Sequence, residues 1–131
     1  MDDPLASLLD AARAASRASY SPYSKFRVGA AVLAGGRVFA GANIENASYG
    51  LTICAERTAV FAAVLAGAGP IEAIAVACVD APEGSAPALL MPCGACRQVL
   101  AEFAGPGAPV LVDRAGRYTL ADLLPLAFRL G

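Results

Sequence analysis

The sequence contains no histidine among its 131 residues. This absence excludes serine–histidine–aspartate and cysteine–histidine nucleophile systems, and it also excludes metal sites built on histidine. Acid–base chemistry in this chain must therefore fall to aspartate, glutamate, cysteine, tyrosine, arginine, the single lysine or a metal-bound water.

Clustered positive charge is also missing. Lys25 is the only lysine, the remaining basic residues are scattered arginines, and the formal net charge is −1. Proteins that bind nucleic acids usually carry a basic stripe, often with interleaved aromatic side chains. We therefore expect no nucleic-acid partner.

Long apolar runs are absent as well, although 57% of the residues are hydrophobic. The longest uncharged run, residues 58–71, is interrupted by Gly67, Gly69 and Pro70, and a membrane-spanning helix needs about 20 apolar residues. We expect no membrane partner and place the apolar excess in subunit interfaces. The N-terminal "MDDPLAS" lacks the features of a signal peptide, so the expected location is the cytoplasm, where thiols stay reduced.

The hydrophobic pattern predicts one domain, residues 1–131, of the α/β class. A first helix is followed by two strands around the Gly35-Gly36 turn, a helix after Cys54 and the buried strand "IEAIAVACVD". A helix after Cys93, two short strands and a final short helix in "ADLLPLAF" complete the chain. This order predicts a mixed sheet with helices on both faces.

Three of the four cysteines stand at predicted helix starts. Cys54 opens one helix, Cys93 opens the next, and Cys96 follows one turn later in "MPCGACRQ". The free N–H groups and partial positive charge of a helix N-terminus favour the thiolate, which is the form that binds metal. Three thiolates on one Zn²⁺ would leave a fourth position open for water, as in catalytic rather than structural zinc sites.

Charged residues flank these cysteines. Hydrogen bonds from Arg57 and Arg97 to the sulfurs would offset the negative charge of three thiolates. Glu56, two residues after Cys54, is then available as a proton carrier rather than a metal ligand.

Other interpretations of the cysteines stay open from these residues alone. The C-x-x-C pair could be a redox pair, or Cys78 could close a four-cysteine structural site. Cys78 lies inside "IAVACV", where a small buried residue is the simpler interpretation.

Longer stretches of the chain resemble a known family. "CAERTA" and "PCGACRQVLAEF" resemble the zinc-dependent cytidine deaminases of the small, homotetrameric kind, within the wider zinc-deaminase class. "YSPYSKFRVGAAV", "GANIENASYGLTICAER" and "LLPLAF" extend the resemblance in family order, from about Ser19 to Phe128. Leu126 stands where a smaller residue would be more usual.

The resemblance implies a fold, a reaction and a set of roles. The implied fold is a three-layer α/β/α sandwich with a five-stranded mixed sheet, and the implied reaction is the hydrolytic deamination of cytidine and 2′-deoxycytidine in pyrimidine salvage. One Zn²⁺ per subunit would be held by Cys54, Cys93 and Cys96. Glu56 would move a proton from the metal-bound water to ring N3 and then to the leaving ammonia.

The resemblance also implies how the substrate is bound. Asn43 and Glu45 would hold the ribose, mainly at its 3′-hydroxyl, Phe26 would line the base pocket, and the backbone at Ala55 would read the base edge. The neighbouring subunits of a homotetramer would contribute the remaining residues, which are Ala47, Tyr49 and Phe128.

Three rival functions follow from the same residues. A deaminase of a cytosine-bearing antibiotic of the blasticidin type would share the zinc site, but the pair Asn43 and Glu45 argues against it. A nucleic-acid editing deaminase is disfavoured by the neutral charge. A zinc-stapled module without enzymatic activity would require the closed four-cysteine site.

Overall fold

The computed structural model describes residues 4–130 of the chain. Residues 1–3, on which the signal-peptide prediction partly depends, lie outside the described residues. The helices are α1 (Pro4–Ala15), α2 (Ala55–Leu65), α3 (Gly94–Phe103) and α4 (Leu120–Leu123). The strands are β1 (Val28–Ala34), β2 (Arg37–Ala42), β3 (Ile71–Cys78), β4 (Pro109–Val112) and β5 (Gly116–Thr119).

The five strands form one mixed sheet in the order β2-β1-β3-β4-β5. β1 and β2 form a hairpin at Gly35 and Gly36, whose positive φ angles of 58° and 73° suit a tight hairpin turn. β3 is antiparallel to β1 and parallel to β4, while β5 returns antiparallel to β4. The predicted five-stranded mixed sheet is confirmed.

Helices cover both faces of this sheet because its strands bury alternate residues on opposite sides. Leu8 and Ala12 of α1 pack in one cluster with small strand residues such as Ala75. On the other face, α2 and α3 contribute Val60, Ala63, Leu100 and Ala101 to a larger cluster with Val32, Ile74 and Val76. The predicted three-layer α/β/α sandwich is confirmed.

Glycine brings α2 unusually close to the sheet. A Cβ atom at Gly41 of β2 would lie 2.4 Å from the backbone nitrogen of Ala59 and 2.6 Å from the carbonyl oxygen of Ala55. The helix backbone therefore rests directly on β2, and this contact fixes the position of the residues that begin α2.

The predicted final helix is wrong in its extent. α4 ends at Leu123, and Leu124 has an extended φ of −144°, as expected for a residue that precedes a proline. The segment after α4 runs beside α3 instead: Gln98 Nε2 donates to the Phe128 carbonyl at 3.0 Å, and Arg129 donates to the carbonyls of Ala101 and Ala104. A helix of the length and apolarity needed to cross a membrane is absent from residues 4–130.

Candidate active site and metal centre

The sheet brings the starts of α2 and α3 together on the same face. Cys54 is the N-cap residue of α2, Cys93 is the N-cap residue of α3, and Cys96 lies in the first turn of α3. The Sγ atoms of Cys54 and Cys93 are 3.9 Å apart, and those of Cys93 and Cys96 are 3.3 Å apart. Cysteines that are 39 residues apart in sequence therefore form one sulfur cluster.

The cluster has the dimensions of a zinc site. All three sulfurs lie within 4.8 Å of one another, and a tetrahedral Zn²⁺ with Zn–S bonds of about 2.3 Å would place its sulfurs about 3.8 Å apart. The ligand type also fits, because thiolates are preferred zinc ligands and three of them leave one position open. The residues present therefore fit the zinc ion that the sequence predicts.

The fourth cysteine is outside this cluster. Cys78 is buried at the end of β3, and its Sγ lies 3.8 Å from the Leu90 carbonyl oxygen. Burial raises the pKa of its thiol to about 11, which disfavours a metal-binding thiolate. This arrangement does not support the closed four-cysteine site.

Hydrogen bonds from neighbouring side chains favour the thiolate form of Cys54. Hydrogen bonding from Cys96, followed by that from Arg57, lowers the pKa of the Cys54 thiol to about 5. The same sulfur–sulfur hydrogen bond and burial raise the pKa of Cys96. Arg57 Nη2 donates to Cys54 Sγ at 3.4 Å, so a guanidinium does contact a sulfur as expected.

Arg97 makes different contacts from those expected. Its Nε donates to the Pro92 carbonyl at 2.8 Å, and its Nη1 donates to the Leu123 carbonyl at 2.7 Å. These hydrogen bonds join the loop before Cys93 to the end of α4. In this chain Arg97 therefore braces the backbone around the cysteine motif, whereas Arg57 is the arginine that contacts sulfur.

Glu56 is nearly fully buried, with 4% of its surface exposed. Burial raises the pKa of this carboxyl group to about 7, partly offset by a hydrogen bond from its own backbone N–H. A carboxyl group with a pKa near neutrality can both accept and donate a proton.

Two cysteines of the sulfur cluster, Cys54 and Cys93, line one cavity of about 210 Å³ together with Glu56. Phe26, Asn43 and Ala55, all predicted from sequence, lie on its wall together with Cys54 and Cys93. The remaining lining residues are Val28, Thr52, Val76, Cys78, Leu89 and Met91. A mostly apolar cavity with a few convergent polar groups is typical of a small-molecule site.

Asn43 is held firmly at the end of β2. Its Oδ1 accepts from the Val28 N–H at 2.9 Å and from the Ser19 hydroxyl, while its Nδ2 donates to the Phe26 carbonyl at 2.8 Å. The side chain therefore positions the Phe26 segment in addition to lining the cavity.

Glu45 lies in an adjoining cleft of about 380 Å³, which shares Thr52 with the cavity. Its carboxylate accepts from the backbone N–H groups of Tyr23 and Ser24 and from the Ser24 hydroxyl. The Ser24 hydroxyl is the largest cause of the lowered pKa of Glu45. The predicted pair thus lines two neighbouring spaces, Asn43 the cavity and Glu45 the cleft, with Thr52 on the wall of both.

The residues expected from neighbouring subunits are exposed. Ala47 lies on an exposed loop, and Tyr49 and Phe128 have 77% and 69% of their surfaces accessible. Tyr49 lines the Glu45 cleft of its own chain, where its ring packs edge-on against Tyr23. Phe128 is not among the residues that line either space.

Sequence reasoning missed several residues of the site. Thr52, Val76, Leu89 and Met91 line the cavity, and so does Cys78, which the sequence indicates as a buried strand residue or a fourth metal ligand but not as part of a cavity wall. Met91 stands two residues before Cys93 and Thr52 two before Cys54, so proximity to the motifs was an available signal. Nothing in the local pattern distinguishes Val76 from any other buried strand residue.

Comparisons with known proteins agree with this geometry. Residues 3–111 match the family model described as the cytidine and deoxycytidylate deaminase zinc-binding region. A cytidine deaminase of Mycobacterium tuberculosis is 51% identical over 118 residues, which cover 88% of this chain and 83% of the relative.

Solved structures give the same result. The crystal structure of cytidine deaminase from Mycobacterium tuberculosis has a TM-score of 0.83 and 44% identity, covering 98% of this chain and 100% of the other. The cytidine deaminase structure from Burkholderia pseudomallei has a TM-score of 0.82 and 45% identity, covering 94% and 98%. With its fold, its three-cysteine centre and these matches, the chain belongs to the family of zinc-binding cytidine and deoxycytidylate deaminases.

Proposed function

We propose that this protein hydrolyses cytidine and 2′-deoxycytidine to uridine and 2′-deoxyuridine with release of ammonia. The observation that carries the proposal is the meeting of the three-cysteine cluster and the buried Glu56 in one cavity that Phe26 and Asn43 also line. In this reaction water adds at C4 of the base, the C4–N4 bond breaks, and the amino group leaves as ammonia.

The metal and Glu56 divide the chemistry. Cys54, Cys93 and Cys96 would hold the Zn²⁺ ion, which when bound would supply Lewis-acid activation of a water molecule. Glu56 is the only carboxylate among the described residues that line the cavity. We assign it the proton transfers: it removes a proton from the attacking water, protonates ring N3, and later protonates the leaving amine.

The remaining cavity residues bind the substrate. The Phe26 ring offers an apolar wall for the base, and the backbone at Ala55, at the start of α2, is placed to read polar atoms on the base edge. Asn43 and Glu45 supply an amide and a carboxylate for a sugar hydroxyl. These groups favour a nucleoside over an antibiotic that lacks the sugar hydroxyls.

We further propose a homotetramer in which neighbouring subunits complete each site with Ala47, Tyr49 and Phe128. The exposure of these residues supports this, as do the exposed apolar residues Phe61, Val64 and Leu65 on the outer side of α2. Light scattering on the active protein tests the assembly, and a fully active monomer would contradict it.

Residues 1–131 are assigned to one domain, since a single sheet holds all five strands of the described region.

The cytoplasm is the proposed location because the cysteines are unpaired and a reducing compartment keeps thiols available for zinc.

The test is the fall in ultraviolet absorbance when zinc-loaded protein meets cytidine, with ammonia release measured in parallel. The Glu56→Gln protein serves as the matched control, and a cytosine-bearing antibiotic of the blasticidin type serves as the rival substrate. Turnover of cytidine is the expected result. Turnover of the antibiotic alone would move the assignment to the rival function.

A further inference from the structure

The hydroxyl group of Ser24 connects the two halves of the substrate site. Its Oγ accepts a hydrogen bond from the Phe26 backbone N–H at 3.0 Å and donates one to Glu45 Oε2. Because an ionised carboxylate can only accept hydrogen bonds, the Ser24 hydroxyl is the donor to Glu45, while its oxygen accepts from Phe26. Two hydrogen bonds therefore link Phe26, which lines the cavity, through Ser24 to the carboxylate of Glu45.

The other carboxylate oxygen of Glu45 is already occupied. Its Oε1 accepts from the backbone N–H groups of Tyr23 at 3.0 Å and Ser24 at 3.1 Å. An ionised carboxylate has about four acceptor positions. With three of these used inside the chain, Oε2 retains one lone pair for a ligand.

Asn43 offers the complementary group. Its Oδ1 is filled by the Val28 N–H and the Ser19 hydroxyl, and one of its two amide N–H bonds is directed to the Phe26 carbonyl. What remains is a single N–H donor. One free donor on Asn43 and one free acceptor position on Glu45 match a group that accepts and donates at once, such as a hydroxyl.

We propose that Ser24 is a positioning residue that orients Glu45 for one sugar hydroxyl, the 3′-hydroxyl, and couples that orientation to Phe26. The inference depends on the proposed function, since cytidine and 2′-deoxycytidine both carry the 3′-hydroxyl. Without the Ser24 hydroxyl, Oε2 loses its internal partner and the Phe26 N–H loses its acceptor, while the two backbone bonds to Oε1 remain.

The experiment compares 2′-deoxycytidine with 2′,3′-dideoxycytidine, which differ only in the 3′-hydroxyl. Ser24→Ala should lower kcat/KM for 2′-deoxycytidine about tenfold, mainly through KM, because a hydrogen bond to a charged group is lost. It should change kcat/KM for 2′,3′-dideoxycytidine by less than about threefold, because that substrate does not use the oriented carboxylate and is affected only by the lost acceptor of the Phe26 N–H.

Two further variants separate positioning from folding. Ser24→Thr keeps the hydroxyl and should restore the preference for 2′-deoxycytidine. Ser21→Ala removes a hydroxyl from the same loop but not from Glu45, and it should behave as the unmutated enzyme does.

Equal losses on both substrates in Ser24→Ala would show a structural role and overturn the inference. An unmutated enzyme that does not distinguish the two substrates would also overturn it, because the hydroxyl would then be recognised elsewhere. Failure of the unmutated enzyme to deaminate cytidine would instead contradict the proposed function, so the two failures are distinguishable.

Discussion

The metal half of the site and the proposed sugar half are built in different ways. Cys54, Cys93, Cys96 and Glu56 stand at the starts of α2 and α3, and the sulfurs and the carboxylate converge within one chain. Glu45 and Tyr49 lie instead on loops bordering an open cleft, and Phe128 lies exposed beside α3. Helix starts on a common sheet fix the positions of the cysteines and Glu56, whereas the loop residues stay exposed, as completion of the site by a neighbouring subunit would require.

This difference separates chemistry from recognition. Changes in the metal half should remove turnover or metal itself, whatever the substrate. Changes in the sugar half should act on KM and on discrimination between substrates. The following predictions test that separation, beginning with the largest effect.

Cys93→Ala should abolish both zinc binding and measurable activity. It removes one of three thiolates, and the free energy of zinc binding that stabilises the folded state is lost with it. Metal content and the thermal unfolding midpoint are the measurements, and both should fall.

Cys78→Ala is the matched control, because it deletes a cysteine outside the sulfur cluster and should retain zinc. Full zinc occupancy in the Cys93→Ala protein would remove Cys93 from the ligand set.

Glu56→Gln should keep the fold and the zinc while lowering kcat about 10²- to 10⁴-fold, the usual contribution of a general acid–base group. The amide has a similar shape but cannot carry the proton. Steady-state kinetics with a parallel zinc assay gives the result. A nearly normal rate would refute the assignment of the proton transfers to this residue.

Phe128→Ala should raise KM for cytidine by about tenfold with little change in kcat, if its ring stacks on substrate in a neighbouring subunit. Leu130→Ala, an exposed apolar change in the same segment, is the control and should leave KM unchanged. A loss in kcat with an unchanged KM would place Phe128 outside the recognition half.

Asp80→Asn should have the smallest effect, a slight loss of stability. It should change neither the metal half nor the proposed sugar half of the site. Hydrogen bonds from Arg27, first from its guanidinium and then from its backbone N–H, lower the pKa of Asp80 to about 2. A carboxyl group whose pKa is lower in the folded than in the unfolded state stabilises the folded protein. This stabilisation is fully present above the unfolded-state pKa and is lost as the pH falls through the folded-state pKa.

The free energy of unfolding of the Asp80→Asn protein should therefore be about 0.5 kcal/mol lower than that of the unmutated protein at pH 7. This difference should disappear between about pH 4 and pH 2. Chemical denaturation at a series of pH values measures it, and a difference that persists at pH 2 would contradict the role of this pair.

Much of the fold was predictable because its signals are local. The Gly35-Gly36 turn, the alternating strands and the cysteine-capped helices each carry a short-range pattern, and together they predicted the mixed sheet. The last helix is shorter than predicted, because the apolar residues after Leu123 favour a helix while Pro125 disfavours the helical conformation of Leu124 before it.

The candidate site was predictable where motif spacing indicates chemistry. Cys54, Cys93, Cys96 and Glu56 follow from residue types at helix starts, and the structure brings the sulfurs together. The contacts of Arg97 were not predictable, because a guanidinium next to a cysteine in sequence can reach a carbonyl in space just as easily. The places of Val76 and Leu89 on the cavity wall depend on packing between distant segments, which no local pattern records.

The close packing of α2 against Gly41 limits which residues position 41 can accept. A single added methyl group at this position would collide with the backbone of Ala59 and Ala55 and displace the first turns of α2, which Cys54 caps. Tolerance to substitution at Gly41 should then be as low as at a metal ligand, although the residue touches neither metal nor substrate. In a saturation mutagenesis library, this scaffold position should be as intolerant as the cysteine positions themselves.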